Sequence, residues 1–245
     1  MAKQTALQLL NKVLNNLGES PVSSGTLNAI SGLSLLVFNT INEVIHELSL
    51  EKEGKLKPLE ADGTLTMTQN VGTYAQPTDM RTFDKDSFRY NQSKELIYVT
   101  PQKWDRDFKT QTSTGEPSII TLWKSYFRPY YIPHAAADAK TVNYRYWSIA
   151  TLLNTDTETA TCFIPEGFDI TLLCDMVTYK ILAYKHNSEA LTYYAKVYGD
   201  GRTLEGSLAR FTSLYSSPDI IDGNIVVEPM ESRGRRNFIQ PPITS

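Results

Sequence analysis

Three histidines, two cysteines and a scatter of carboxylates are the first places to look for chemistry in this 245-residue sequence. A metal centre needs such donors at spacings that bring three or four of them to one point. His46 falls in a helical pattern between Glu43 and Glu47, which reads as a solvated face. His134 follows Pro133 in a loop, and His186 stands near a helix carboxyl end, where the dipole favours a cation. None of the three shares ligand spacing with another or with a cysteine. Cys162 lies beside Phe163, and Cys174 sits inside an apolar helical run, as small buried hydrophobes do. There is no Gly-x-Ser-x-Gly elbow, and the glycines around Asp200 lack both a P-loop lysine and a strand-to-helix setting. Acids are paired at Asp105 with Asp107 around Arg106 and at Glu43 with Glu47, yet nothing sets a pair across a cleft as glycosidic chemistry requires. The expectation is a non-enzyme with no catalytic residues, no metal and no cofactor.

Composition narrows the remaining classes. Twenty-four basic residues against 27 acidic ones give a net charge of -3, without the concentrated basic face of a dedicated nucleic-acid binder. Three arginines, Arg233, Arg235 and Arg236, cluster near the carboxyl terminus, preceded by Glu228 and Glu231. Such a run contacts phosphate or an acidic partner, or simply keeps a tail soluble. No stretch reaches the roughly 18 uninterrupted apolar residues of a membrane span. The amino terminus lacks the apolar core and cleavage site of a signal peptide, so the protein is expected to stay in a reducing cytoplasm. Fourteen tyrosines are the compositional outlier. Tyrosine serves semi-polar interfaces and also packs aromatic sheets, and both uses remain open here.

The elements that would position these residues follow from periodicity. Ala6, Leu9, Leu10, Val13, Leu14 and Leu17 recur at helical spacing, with Thr5 as N-cap, Gly18 as stop and Pro21 beyond. A second helix is predicted over about 27–50, with Ile30, Leu33, Val37, Ile41, Val44, Ile45 and Leu48 as its main stripe. Its first half also carries Leu35, Leu36 and Phe38 on other faces, so it must be covered on more than one side. From 57 to 160 the texture turns β-rich, with strands expected near 64–69, 80–83, 96–100, 119–127 and 142–149 and a helical turn at 101–108. In 141–147, Val142, Tyr144 and Tyr146 alternate with polar neighbours, the period of a half-buried strand. Helical spacing returns after Pro165 through Phe168, Leu172, Met176, Tyr179 and Ala183. It resumes at Leu191, Tyr194, Ala195 and Tyr198 and is expected to run on with a kink to Leu204, Leu208, Phe211 and Tyr215.

The predicted fold is α+β. Segments 1–56 and 161–215 form a bundle of about four helices, 57–160 is a β-rich insertion (antiparallel sheet or barrel-like), and 216–245 is an extended arm. The arm holds four prolines and a β-prone run with Ile220, Ile221, Ile225, Val226 and Val227, and too little apolar surface to fold alone. Such a run engages a partner by strand addition or groove binding.

Within this frame the residues resemble the head-to-tail adaptor (head completion) proteins of tailed bacteriophages. The opening LQLLNKVLNNLGESPVSS is similar to that family's first helix with its Leu-Gly, acid and Pro-Val close, and SGLSLLVFNTINEVIHEL to its long second helix. YAQPTDM, ELIYVTPQKWDRDF, TGEPSIITLW and TVNYRYW match its succession of strand, turn and strand, and IPEGFDITLLCDMVTYKILAY resembles its returning helix. The likeness covers about residues 5–200; the Gly-Asp-Gly at 199–201 and the arm match no family pattern.

The resemblance implies a structural virion protein, related to the tubular tail protein A of short-tailed phages and assembled in the host cytoplasm. It implies a ring, typically a 12-mer, beneath the portal protein. Such a ring extends the channel through which genomic DNA passes without specific binding, and carries a tail or nozzle protein. Leu35, Leu36, Phe38, Tyr193 and Tyr198 are then subunit-interface candidates. Ile220, Ile221, Ile225, Val226, Val227, Arg233, Arg235, Arg236 and Phe238 are portal-binding arm candidates. The alternatives are another tail ring protein (terminator or stopper), or a β-rich module that binds a receptor or carbohydrate.

Overall fold

A computed structural model describes residues 3–109, 113–200 and 205–216 of the chain. Six α-helices run through these residues: α1 Ala6–Asn16, α2 Gly32–Leu50, α3 Pro101–Asp107, α4 Asp175–Tyr184, α5 Ala190–Tyr198 and α6 Ser207–Tyr215. Between α2 and α3 lie β1 Glu60–Thr66, β2 Tyr74–Ala75, β3 Met80–Phe83, β4 Arg89–Tyr90, β5 Lys94–Glu95 and β6 Ile97–Tyr98. After α3 come β7 Thr114–Gly115, β8 Ile119–Trp123, β9 Tyr126–Tyr130, β10 Ile132–Pro133 and β11 Thr141–Ser148. The protein is therefore mixed α+β.

Local chemistry accounts for the helix ends. Thr5 Oγ1 accepts from the Gln8 amide, and the Gln8 side chain accepts from the Thr5 amide at 2.9 Å, a reciprocal capping box. At the other end Gly18 takes φ +74, and the Glu19 amide donates back to the Leu14 carbonyl at 2.9 Å, so orphan carbonyls are met. The second helix is shorter than its apolar stripe suggests. Residues Leu27–Ala29 form a separate 3-10 turn, and Ile30 at ψ 145 breaks the path before α2 begins. The segment after Pro165 enters α4 through a π-helical turn, Asp169–Cys174. Buried Asp169 ties that turn down, accepting from the Gln4 amide at 2.7 Å and the Gly167 amide at 3.0 Å.

The expected continuous helix from 191 to 215 is corrected. Gly199, at φ +85, ends α5, and an antiparallel bridge from Gly199 to Glu205 turns the chain into α6. The reversal is tight enough that a Cβ on Gly206 would stand 2.2 Å from the Val197 carbonyl oxygen.

Two larger open sheets and a two-stranded pair of β7 with β10 fill the middle of the chain, and among the described residues neither larger sheet closes into a barrel. One has the order β1-β11-β4-β5, with β3 also on β11; the other runs β2-β9-β8-β6. Most pairings are antiparallel, while β6 with β8 and β7 with β10 are parallel. A single strand was expected over 119–127, but the chain reverses at Lys124, φ +54, and β8 and β9 form a hairpin. In β11 the alternation holds: Val142, Tyr144 and Tyr146 are buried.

Core residues fall into two clusters. The helical one gathers α1, α2, α4, α5 and α6 around Leu9, Leu14, Val37, Ile41, Leu173 and Phe211. The second lies in the β region, where the Phe88 ring meets Tyr144 at 5.2 Å and Phe127 at 5.7 Å. Leu59, Trp147, Ala150 and Leu153, from the span read as insertion, pack into the helical cluster instead. Arg81 of β3 joins the two parts, donating to the Ser49 carbonyl at the end of α2 (2.7 Å) and passing directly over Gly54.

Candidate assembly surface

Residues at i, i+3 and i+7 share a helix face. On α5 this places Leu191, Tyr194 and Tyr198 in one row, and the row points outward. Leu191 is 74% exposed, while the side packed inward offers only Ala190 and Val197 as buried residues. An apolar stripe normally faces the core; here the larger side chains face solvent. The Tyr194 and Tyr198 rings lie 4.8 Å apart, and Tyr179 of α4 joins them at 5.4 Å and 6.1 Å. Polar groups border the ridge. Lys196 stacks over Tyr193 with its ammonium 4.4 Å from the ring centre, and Lys180 pairs with Glu47 of α2. Burial, and then the Glu47 carboxylate nearby, push the Tyr198 hydroxyl above its ordinary pKa of 10.0, so it stays neutral at physiological pH.

The interface residues expected from sequence are placed unequally. Leu35 and Leu36 are exposed on α2, in a run from Ser20 to Asn42 that holds no charged residue. Phe38, one turn away, is corrected: it is 3% exposed and buried in its own core, because it points with Ile41 and Ile45 toward the helical cluster. Tyr193 is half-buried and Tyr198 exposed. Sequence reasoning did not single out Leu191, Tyr194 or Tyr179, whose spacing had signalled a helix face without revealing whether anything covers it. The arm candidates Ile220, Ile221, Ile225, Val226, Val227, Arg233, Arg235, Arg236 and Phe238 lie outside the described residues.

The three histidines stand at separate places in the fold. His46 is exposed on α2, His186 is exposed in the turn between α4 and α5, and His134 lies in the loop before a 3-10 turn. Among the described residues no three His, Cys, Asp or Glu side chains converge as a metal site would require. Cys162 and Cys174 are both buried free thiols; burial raises both pKa values and keeps them protonated. Asp105 and Asp107, read in a loop-like setting, stand on α3, where Asp107 pairs with Arg106 at 2.7 Å. No described helix is long and apolar enough to cross a membrane.

A shallow groove of about 320 Å³ opens on the outer face of β1 and β11, lined by Asp62, Thr64, Ser87, Asn143 and Arg145. Within it Thr64 donates to Asn143 at 3.0 Å, and Arg145 pairs with Glu60 beside it at 2.8 Å. On the opposite face of the same strands Gly63 lies under the ring of Tyr144.

The surface thus offers exposed aromatic and aliphatic ridges on α5 and α2. No curated protein matches the chain. The model of the SU10 adaptor protein family matches residues 4–218, which spans every described element from α1 to α6. The chain belongs to the SU10 adaptor family, a family of phage head-to-tail adaptors.

Proposed function

We propose that the protein is a non-enzymatic ring subunit, about twelve copies of which sit beneath the portal, extend the DNA channel and carry the tail or nozzle. The family match over residues 4–218 carries this reading. The exposed ridge of Leu191, Tyr194 and Tyr198 and the uncharged face at Leu35 and Leu36 support it. A ring subunit makes head-to-tail contacts and so needs two different surfaces for its neighbours. Charge depletion and exposed tyrosine mark the cores of such contacts. The carboxyl-terminal segment, through Arg233, Arg235, Arg236 and Phe238, reaches the portal. With a net charge of -3 per copy, the channel wall repels phosphate and lets DNA slide.

The ridge provides the test. Replacing Leu191 and Tyr194 together with lysine leaves the monomer folded, since both are surface residues, and lowers self-association measured by sedimentation velocity at least tenfold. A doubly substituted chain that associates like the parent removes the ridge from the interface.

A further inference from the structure

The free edge of β1 is the feature this reading leaves unused. β1 pairs with β11 over seven consecutive positions, from Glu60 with Trp147 to Thr66 with Thr141, without a bulge. Among the described residues nothing pairs with its other side. The directions of its backbone groups follow from its neighbours. The carbonyls of Thr141 and Arg145 accept from the Asn91 amide at 2.7 Å and the Asp84 amide at 2.9 Å, so these odd positions of β11 face away from β1. The even positions, Val142, Tyr144 and Tyr146, therefore face β1 and meet Leu65, Gly63 and Ala61. It follows that Glu60, Asp62, Thr64 and Thr66 aim their amides and carbonyls at the open side. Exposed edges are normally blunted by charged side chains, proline or a bulge; β1 has no lysine, proline or bulge, and its charges are Glu60 and the short Asp62. The one long charged side chain at its start, Glu60, is drawn onto the sheet face by Arg145 at 2.8 Å.

Resting on the ring reading, we infer that this edge accepts a strand from the carboxyl-terminal segment of a second copy of the chain. Two observations select that occupant. Ser216, the last described residue, forms an antiparallel bridge with Leu56, four positions before β1 begins. An antiparallel bridge there points the carboxyl side of Ser216 opposite to the direction from Leu56 into β1. Beyond it lie 29 residues, 217–245, long enough at ~3.3 Å per residue to extend about 96 Å and reach a neighbour. Within them, Ile225 and Val227 are two apart and so share one strand face. On an added strand they present one apolar face and Val226 the other. The proline at 229 ends the pairing, leaving Arg233 onward for the portal.

The experiment uses a labelled peptide of residues 217–231 and the chain truncated after Ser216. Fluorescence anisotropy is expected to show saturable binding that falls at least tenfold when the truncated chain carries Thr64→Pro. That change removes an outward-facing amide and no backbone bond to β11; the side-chain bond from Thr64 to Asn143 is lost as well, and Thr64→Val controls for it. Thr64→Val, which keeps the amide, retains binding. If Thr64→Pro disturbs folding, amide exchange at Asp62 and Thr64 reads the same contact without a substitution, slowing when peptide is added to the truncated chain. Mixing the full-length Thr64→Pro chain, a donor only, with the truncated chain, an acceptor only, then gives a one-to-one complex. A peptide that does not bind, or binds the proline variant equally, overturns the edge as acceptor. Peptide binding without the mixed complex returns the segment to its own subunit and overturns the second-copy assignment. A normal ring on the portal from the Thr64→Pro chain likewise sinks this inference while leaving the adaptor reading intact.

Discussion

Gly63→Ala is the substitution for which the structure gives the most definite expectation. The added Cβ would stand 2.3 Å from Cζ of Tyr144 and 2.7 Å from both Cε atoms. Ordinary carbon contacts lie at about 3.5–4.0 Å, so the ring would have to retreat by more than about 1 Å. It has nowhere to go, because Phe88 at 5.2 Å and Phe127 at 5.0 Å, both fully buried, back it. Overpacking of this kind costs roughly 1–3 kcal/mol. The entropy gained by replacing a strand glycine returns about 0.5–1 kcal/mol. A net loss of about 1 kcal/mol corresponds to a Tm lowered by roughly 2–4 °C for a chain of this size. Thermal and urea unfolding followed by circular dichroism measure it. The cause is isolated by a double-mutant cycle with Tyr144→Leu: once the ring is gone, the extra methyl should cost little, giving a coupling of about 1–2 kcal/mol. A Gly63→Ala chain that melts within a degree of the parent refutes the reasoning. So does an equal cost in both backgrounds.

Arg81→Ala removes both the bond to the Ser49 carbonyl and the packing over Gly54; a loss of about 1–3 kcal/mol is expected for a hydrogen bond to a charged group, with faster amide exchange over the last turn of α2. Glu158 accepts from the Gly25 amide at 2.7 Å, the Leu27 amide at 3.3 Å and Ser24 Oγ at 3.0 Å. Burial raises its pKa, but these bonds outweigh burial and hold the carboxyl below its ordinary 4.5. A lowered folded pKa means the clamp on the loop between α1 and α2 is complete above about pH 4.5 and is lost as pH falls through the folded value. Glu158→Gln should therefore speed amide exchange at Gly25 and Leu27 at neutral pH and flatten its acid dependence; unchanged exchange would remove the clamp from the account.

Much of the frame was legible because its signals are local. Thr5, Gly18 and the stripe between them specify α1, the alternation of Val142, Tyr144 and Tyr146 specifies β11, and Thr100 with Pro101 starts α3. The errors have physical causes. Lys124-Ser125 carries no glycine or asparagine to announce the β8–β9 reversal, although Lys124 adopts a positive φ. Two-residue strands leave no periodic trace: β4 is held by its long-range pairing with β11, and among the described residues β5 pairs only with β4 in a short hairpin. The tyrosine surplus had two readings, and the molecule uses both: Tyr90, Tyr144 and Tyr146 pack the β core, while Tyr194 and Tyr198 stand on the surface. For the candidate surface, spacing located the α5 stripe but was silent about its direction. That direction depends on how little of α5 the neighbouring helices cover.

The central claim is that copies of this chain form the ring under a portal, and imaging a mixture of the purified protein with a portal ring by electron microscopy tests it most directly. The account predicts added density of about twelvefold symmetry coaxial with the portal, with the α5 ridge between neighbouring subunits. Protein that stays monomeric and leaves the portal bare would contradict it.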